Sequence, residues 1–348
     1  MRTTIANTLV TLLLAAMATP MTLHAWDRGT VERFATLPTS TGHPEGICTD
    51  KDGNVYVATV DVPRPDRKNG TLIVFDSNGK YLRTVNVADS STQLLDIRFH
   101  PQTGKLIVVD YGAAKLLTVD PQTGASSVFM SVTGDHPGLD AFCFDAAGNV
   151  YTTDAHQGII WKVGKDGGAG EIWAQDPLLK PTRFPPAIGA NGAWFNNKQD
   201  AMFVANTAQD TLVKITASGE PLKAGKPEIF VNRVGGGPDG ILIDEQDNIW
   251  IACNQANEVL VLEPKQGRAI AKLGDFGGID KDGAPIGFLW SNTLCFRGND
   301  VLVTNLSLNM AKYTSPSYPT INGPWADEVK LHTVSKIKKQ IPSVPQLN

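Results

Sequence analysis

The sequence predicts an all-β fold, a six-bladed β-propeller closed by a strand from the N-terminus. One stretch, Gly236–Asn254, has the pattern of a hairpin, with apolar runs at 241–243 and 249–252 joined by a polar turn. The same layout recurs at five other places, and successive copies lie 45 to 53 residues apart. Repeats of roughly 40–50 residues with about four strands each are typical of propeller blades.

Each repeat has a lead residue, which we define as the residue at the start of its predicted innermost strand. The lead residues are Glu45, Leu95, Asp140, Asn191, Asp239 and Asn292. Antiparallel pairing places the end of the second strand beside the lead residue, so we expect both on one face of the ring, here called the mouth face. The same topology brings four long connections to the mouth face, at 61–70, 174–190, 274–291 and 306–325. The opposite face receives tight turns such as residues 51–54.

The ends of the chain are predicted to close the ring. Segment 31–38 alternates apolar and polar residues but has no repeat of its own. We expect it to be the outermost strand of the last blade, beside the C-terminal strands around 329–337. This pairing leaves no continuous sheet edge exposed. The alternative is a disordered N-terminal arm.

The first 25 residues resemble a secretory signal, which leaves residues 26–348 for the propeller. Arg2 precedes a mostly apolar stretch at 9–18, and Ala25 is a possible cleavage point, with cleavage after Ala18 as an alternative. A membrane anchor is a further alternative, although the apolar run is shorter than the ~20 residues that cross a bilayer. The sequence therefore predicts a periplasmic or secreted protein with no membrane span once the signal is removed.

Charge and cysteine positions narrow the possibilities further. The formal net charge of −4 offers no basic surface for a nucleic acid. Cys48, Cys143 and Cys295 each lie three residues after a lead residue of a different blade. Equivalent positions in separate blades are expected to be further apart than the ~7 Å between Cα atoms that a disulfide allows. We therefore predict free, buried thiols.

Five of the six lead residues are acids or amides, and this composition predicts a metal site in the central channel. Two carboxylates 4 Å apart repel by about 4 kcal/mol at an effective dielectric constant near 20. The carboxyl groups of Glu45, Asp140 and Asp239 must therefore be partly protonated or share a cation. Oxygen ligands, with amide carbonyls from Asn191 and Asn292, suit Ca²⁺, and other divalent cations remain possible. An ion that only pins the strands is the alternative.

A cation with an open coordination position would polarise a carbonyl or phosphoryl oxygen and activate bound water. Asp239 is then the best general base or nucleophile, with Asp140 as a second catalytic carboxyl group. We assign substrate contacts to four residues of the mouth face, with plain loop packing as the alternative for the two aromatic ones: Asn292, Asp154, Trp290 and Phe288. Three histidines near this face could move protons or only bind loops: His43, His136 and His156. A Gly-x-Ser-x-Gly motif is absent from the sequence, which disfavours a serine hydrolase.

Three short motifs carry a resemblance to a known family: Pro44-Glu45-Gly46, Asn191-Gly192 and Pro238-Asp239-Gly240 followed by Ile249–Cys253. Over roughly residues 40–305 the chain resembles the senescence-marker-protein/gluconolactonase/luciferin-regenerating-enzyme family. The resemblance implies a six-bladed propeller with one catalytic divalent ion, usually Ca²⁺, and lactone hydrolysis. It implies that Glu45, Asn191 and Asp239 are metal ligands and that Asp239 is also the acid–base carboxylate.

The chain departs from the family where Pro137-Gly138-Leu139-Asp140 replaces an Arg-x-Asn-Asp motif. Loss of that arginine favours a less polar lactone or ester over a sugar lactone. The expected function is a metal-dependent hydrolase that opens a small-molecule lactone or related ester. The alternative is a non-catalytic exported propeller that binds a small ligand or a protein on its loops and holds a structural metal.

Overall fold

Six four-stranded antiparallel units form the core of the computed structural model, which describes residues 26–61, 68–182, 188–310 and 322–341. The innermost strands of successive units contact one another around the whole circuit, and the sixth contacts the first. The chain is therefore a six-bladed β-propeller, as predicted. The predicted signal segment 1–25 lies outside the described residues.

The blades follow the chain, and each runs from the axis outwards. Blade 1 comprises β2 (His43–Thr49), β3 (Val55–Val60), β4 (Thr71–Phe75) and β5 (Tyr81–Asn86). Blade 2 comprises β6 (Leu94–Phe99), β7 (Leu106–Asp110), β8 (Lys115–Val119) and β9 (Ser126–Ser131), with β13 (Gly168–Ala169) added in parallel to β9. Blade 3 comprises β10 (Leu139–Phe144), β11 (Val150–Asp154), β12 (Ile159–Val163) and β14 (Glu171–Gln175).

The second half repeats this order. Blade 4 comprises β15 (Ala190–Phe195), β16 (Ala201–Asn206), β17 (Thr211–Ser218) and β18 (Lys223–Asn232). Blade 5 comprises β19 (Pro238–Ile243), β20 (Ile249–Cys253), β21 (Glu258–Leu262) and β22 (Ala269–Leu273). Blade 6 comprises β25 (Ser291–Arg297), β26 (Asp300–Asn305), β27 (Thr333–Lys338) and β1 (Glu32–Thr36). A hairpin of β23 (Phe276–Ile279) and β24 (Pro285–Gly287) links blades 5 and 6. Helical turns lie at Tyr111–Ala113, Pro177–Leu179 and Gly323–Ala326.

The predicted closure of the ring is confirmed. Strand β1 pairs antiparallel with β27, with Thr36 opposite Thr333 and Glu32 opposite Lys336. The Glu32 carboxylate lies 2.8 Å from Lys336 Nζ and ties the two ends of the chain together. The N-terminal segment is therefore the outer strand of the last blade.

In three blades, an aspartate side chain stabilises the turn between the first and second strands, on the face opposite the mouth. The turn residues Asp50, Asp145 and Asp244 each accept backbone hydrogen bonds from the turn that follows them. The same carboxylates also accept a hydrogen bond from a buried aromatic side chain, the second residue of the strand that follows: Tyr56, Tyr151 and Trp250. The predicted tight turn at residues 51–54 is therefore confirmed.

The four cysteines are free, as predicted. Cys48, Cys143 and Cys253 are buried, whereas Cys295 is only half-buried, which the sequence pattern did not indicate. Burial raises the pKa of all four thiols, so they behave as small apolar groups. Within the described ranges, no helix is long and apolar enough to cross a membrane.

Candidate active site and metal centre

The structure brings five polar lead residues together inside the ring. Their exposed fractions are 3 to 6 percent, so each is buried within the protein: Glu45, Asp140, Asn191, Asp239 and Asn292. The sixth, Leu95, is half-buried and apolar. Sequence reasoning therefore located the ring of lead residues correctly, although it did not say how the backbone holds them.

A β-bulge in every blade aims the lead side chain. The pairing between the first and second strands shifts register across the lead residue in all six blades. A bulge adds one residue to one strand and redirects the side chain there. Because the shift recurs in each blade, the lead side chains are redirected alike and share one small volume.

Glycines after three of the lead residues let the inner strands approach one another. A Cβ added at Gly46, Gly192 or Gly240 would lie closer than 3.0 Å to the backbone of the next blade. For Gly192 the obstructing atom is the carbonyl oxygen of Asp239, and for Gly240 it is the carbonyl oxygen of Asn292. The Glu-Gly, Asn-Gly and Asp-Gly pairs in the sequence thus combine a polar side chain with the close approach that brings it to its neighbours.

Asp239, Asn292 and Glu45 meet directly. One end of the Asn292 amide lies 2.9 Å from Asp239 Oδ1, 3.2 Å from Asp239 Oδ2 and 3.1 Å from Glu45 Oε1. With the amide nitrogen at this end, Asn292 donates to both carboxyl groups. Blades 1, 5 and 6 therefore contribute polar groups to a single point, as the lead-residue pattern predicts.

Neighbouring side chains fix this arrangement. Asn254, the residue that follows β20, donates from Nδ2 to Asp239 Oδ2 at 2.9 Å. Asn191 Nδ2 lies 3.1 Å from Thr207 Oγ1, which itself donates to the Pro238 carbonyl oxygen at 2.6 Å. Thr207 therefore connects the lead residue of blade 4 to the strand that carries Asp239. Sequence reasoning placed Asn254 on the mouth face but missed Thr207, which follows the second strand of its blade.

Burial raises the pKa of each carboxyl group in the ring. The pKa of Asp239 rises to about 7, because burial outweighs the hydrogen bonds from Asn254 and Asn191 that favour the ionised form. The pKa values of Glu45 and Asp140 also rise well above their ordinary values, through burial and then through the neighbouring carboxylates. These shifts favour the protonated carboxyl groups, or a bound cation in place of the protons.

The donor set fits a hard divalent cation. Glu45 Oε2 is buried and has no hydrogen-bond partner among the described residues, which is costly for a carboxylate oxygen. Carboxylate and amide oxygens are the ligands that Ca²⁺ prefers, and the Asn292 amide can present its oxygen instead of its nitrogen. Across the described part of the chain, no three His, Cys, Asp or Glu side chains group as metal ligands by themselves. The asparagines are therefore needed to complete a cation site.

An arginine lies deeper in the channel, and the sequence reading missed it. Arg98 Nε donates to Asp96 Oδ2 and to the Phe142 carbonyl oxygen, both at 3.0 Å. Its guanidinium carbon lies 4.5 Å from the ring centre of Trp194, so the side chain reaches from blade 2 past blade 3 to blade 4. Arg98 also opposes the rise in the pKa of Glu45. Arg98 lies three residues after the lead residue Leu95, just as Cys48, Cys143 and Cys295 lie three residues after theirs. This shared position is the signal that could have revealed it.

The side chains predicted to touch substrate have different environments. Asn292 lies in the ring, as described above. Asp154 is completely buried, and its carboxylate accepts bonds from the Gly138, His156 and Gln157 backbones and from the Gln157 and Trp161 side chains. Its assignment to substrate binding stays a prediction that these contacts do not support, because they account for the carboxylate as a loop anchor.

Phe288 and Trp290 are 0 and 4 percent exposed, and they pack into apolar clusters beneath the mouth. Their assignment to substrate also stays a prediction, and their burial fits the loop-packing alternative. The aromatic rings nearer the solvent are Phe276 and Trp325, whose centres lie 5.5 Å apart. Trp325 is 49 percent exposed. A further aromatic residue of the long connection 174–190, Phe184, lies outside the described residues.

His43 belongs to a half-buried pair that sequence reasoning did not foresee. Its ring centre lies 4.4 Å from that of His332, and its Nδ1 lies 2.9 Å from the Leu306 carbonyl oxygen. Burial lowers the pKa of His43, and burial with the neighbouring imidazole lowers the pKa of His332 to about 3. Both rings are neutral at physiological pH and pack a loop against blade 6.

Comparison with known proteins supports the resemblance drawn from the motifs. Residues 184–274, which include Asn191 and Asp239, match the family described as SMP-30/Gluconolactonase/LRE-like region. This match spans blades 4 and 5. It is also 24% identical over 263 residues to Lactonase drp35 of Staphylococcus saprophyticus subsp. saprophyticus, which covers 68% of this chain and 74% of the relative. The predicted family resemblance is thereby confirmed.

Solved structures share the fold. A luciferin-regenerating enzyme superposes with a TM-score of 0.62 at 17% identity, covering 89% of this chain and 95% of that chain. Regucalcin from Agrobacterium tumefaciens, described as a calcium-binding protein, superposes with a TM-score of 0.60 at 16% identity, covering 88% of this chain and 94% of that chain. At these identities the likeness establishes the propeller architecture of this chain.

Proposed function

We propose that this protein is a hydrolase that opens lactones or related esters at the ring of lead residues, with a divalent cation, Ca²⁺ in the first instance, held by Glu45, Asn191 and Asp239. The observation that carries the proposal is the meeting of Asp239, Asn292 and Glu45 within 2.9–3.2 Å, beside a Glu45 oxygen that lacks a partner among the described residues. The relationship to a lactonase and to a calcium-binding propeller supports the same reaction class and the same kind of ion.

A bound divalent cation would polarise the carbonyl oxygen of the substrate and lower the pKa of a bound water. Asp239 is the residue that accepts the proton of the attacking water. Burial raises the pKa of Asp239 to about 7 without a cation, and this effect opposes the lowering that a bound cation would cause, which favours a base that works near neutral pH. Asn254 holds the carboxylate in place from its outer side, which keeps the accepting oxygen aimed into the ring.

Asp140 is the second carboxyl group of the reaction. Burial, together with Asp239 and Asp96, raises its pKa well above the ordinary value and so favours its protonated form. A protonated carboxyl group donates a hydrogen bond to a developing negative charge on the substrate. The same group contributes its oxygens once a cation lowers its pKa.

The mouth suggests a substrate of low polarity. The rings of Phe276 and Trp325 offer apolar surface beside the connections that surround the lead residues. Residues 137–140 contain no arginine, whereas the Arg-x-Asn-Asp motif of the related family begins with one. An aliphatic or aryl-substituted lactone fits these features better than a sugar acid lactone.

A panel of lactones and aryl esters, assayed with added Ca²⁺ and with a chelator, tests the proposal. Asp239→Asn is expected to abolish turnover, whereas Asp52→Asn, a matched change at an exposed turn on the opposite face, should leave it intact. Cation binding without turnover of any compound would favour the alternative of a ligand-binding propeller. Turnover that Asp239→Asn leaves unaltered would remove this residue from the reaction.

A further inference from the structure

Tyr111 and His156 form a hydrogen-bonded pair on the mouth face between blades 2 and 3. Tyr111 directly follows β7, and His156 lies two residues beyond the end of β11. The phenol oxygen of Tyr111 lies 2.9 Å from His156 Nε2, and the two rings meet edge to face with centres 5.7 Å apart. Neither residue belongs to the ring of lead residues, and neither takes part in the steps assigned to Asp239 and Asp140.

The backbone fixes which nitrogen of His156 exchanges its proton. Nδ1 lies 3.1 Å from the carbonyl oxygen of His136, and a carbonyl oxygen can only accept. Nδ1 therefore carries hydrogen in both charge states of the ring, and Nε2, which faces Tyr111, gains or loses the proton. When the imidazole is neutral, the Tyr111 hydroxyl donates to Nε2. When it is protonated, Nε2 donates to the phenol oxygen and leaves the hydroxyl hydrogen of Tyr111 free for another acceptor.

The pair lies beside the catalytic ring. The imidazole packs flat on the backbone two residues ahead of Asp140: a Cβ added at Gly138 would lie 2.7–2.8 Å from three of its ring atoms. Burial raises the pKa of Tyr111 first, and the Asp140 and Asp154 carboxylates raise it further, so the phenol keeps its proton. Blade 2 has the apolar lead residue, Leu95, and Tyr111 is a polar side chain that follows the second strand of this blade at the mouth.

We propose that Tyr111 and His156 are the proton donor for the leaving oxygen in lactone or ester opening. The inference rests on the proposed function and adds a role that Asp239 and Asp140 do not fill. The bond between the carbonyl carbon and the ring oxygen breaks, and its electron pair takes the hydroxyl proton of Tyr111. Tyr111 recovers a proton from Nε2 of protonated His156. The half-buried imidazole is recharged from solvent, while Asp239 carries the proton removed from the attacking water.

The leaving group provides the test, because an alkoxide needs a proton to depart and a nitrophenolate does not. We would compare an unsubstituted aliphatic δ-lactone with 4-nitrophenyl acetate for Tyr111→Phe, His156→Gln and the double variant. Tyr81→Phe is the matched control: this tyrosine lies on an outer strand, 43% exposed, and contacts Thr84. Loss of a general acid is expected to lower kcat/KM for the lactone by about 10²–10⁴-fold. The aryl ester should lose less than about fivefold. The double variant should lose no more than the more damaging single change, because the two residues act as one unit.

Two further readouts separate a chemical role from a structural one. First, the thermal unfolding midpoints of the Tyr111 and His156 variants should match that of the parent. Second, Gly138→Ala displaces the imidazole but keeps both side chains, and it should reproduce the lactone-selective loss. An equal loss on both substrates, or no loss on the lactone, would overturn the role of the pair while hydrolysis itself stands. A parent protein that turns over neither compound would overturn the proposed function and this inference together.

Discussion

Replacing Asp239 by asparagine should stabilise the protein when no metal is present. Burial raises the pKa of Asp239 from 3.8 to about 7, so the folded state keeps a proton that the unfolded chain has lost. Between these two values the folded state binds more protons, and the free energy of unfolding therefore falls as the pH rises. About three pKa units at 1.36 kcal/mol each give an upper estimate of roughly 4 kcal/mol of stability lost by pH 8. Asparagine has no proton to lose, so the Asp239→Asn variant should lack this part of the decline, whereas the parts due to Glu45 and Asp140 remain.

Urea unfolding in the presence of a chelator, at pH 4.5, 6 and 8, measures this effect. The two proteins should be closest in stability at pH 4.5, and the advantage of Asp239→Asn should be largest at pH 8. Asp154→Asn is the contrasting control, because that buried carboxylate accepts five hydrogen bonds and its loss should destabilise the fold at both ends of the range. If Asp239→Asn were less stable than the parent by the same margin at every pH, burial would not raise the pKa of Asp239, and the prediction would be refuted. Ca²⁺ should narrow the difference at pH 8, since an ion at a hundred times its Kd adds about 2.7 kcal/mol to the parent alone.

Three other predictions follow from the same geometry. Glu45→Gln should weaken Ca²⁺ binding at least tenfold by calorimetry, because it removes one charge from the ligand set, and an unaltered affinity would place the ion elsewhere. Gly240→Ala should cost about 1–3 kcal/mol in urea unfolding, because its Cβ would lie 2.6 Å from the Asn292 carbonyl oxygen; a neutral effect would contradict the close approach of blades 5 and 6. Deleting residues 26–37, which removes β1, should expose the edge of β27 and lower the unfolding midpoint by more than about 10 °C or cause aggregation, and an unchanged midpoint would show that the ring does not need its closing strand.

Much of the fold could be predicted from the sequence because the blades repeat. The distance between successive lead residues gave the number of blades, and the unmatched strand at 31–38 predicted how the ring closes. Both predictions depend on strand periodicity, which is a local property of the chain. The secretory signal and the export that it implies remain predictions, since residues 1–25 lie outside the described part.

The candidate site was predictable as a set of residues but not as a set of contacts. Glu45, Asp239 and Asn292 share one place in the repeat, and the repeat alone brings them together. The bulge that aims them and the burial that shifts their pKa values depend on packing between blades, which the sequence of one blade does not record. Asp154 shows the limit of the approach, because it follows the same pattern of strand ends and yet anchors a loop.

Groups outside the repeat pattern were missed for a related reason. Arg98 lies in the channel because blade 2 places it three residues after an apolar lead residue, and its partners Asp96 and Trp194 come from two blades. His156 was expected near the mouth face, but its partner Tyr111 was missed, because the two residues belong to loops of different blades. Contacts of this kind depend on the angle between neighbouring sheets rather than on any motif.

Hydrolysis of a lactone by the metal-free protein during titration with Ca²⁺ tests the central claim most directly. The account predicts a rate near background in chelator, a saturable rise as Ca²⁺ is added, and no such rise for Asp239→Asn. Hydrolysis that proceeds equally well in chelator, or that persists in Asp239→Asn, would contradict a catalytic cation held by the ring of lead residues.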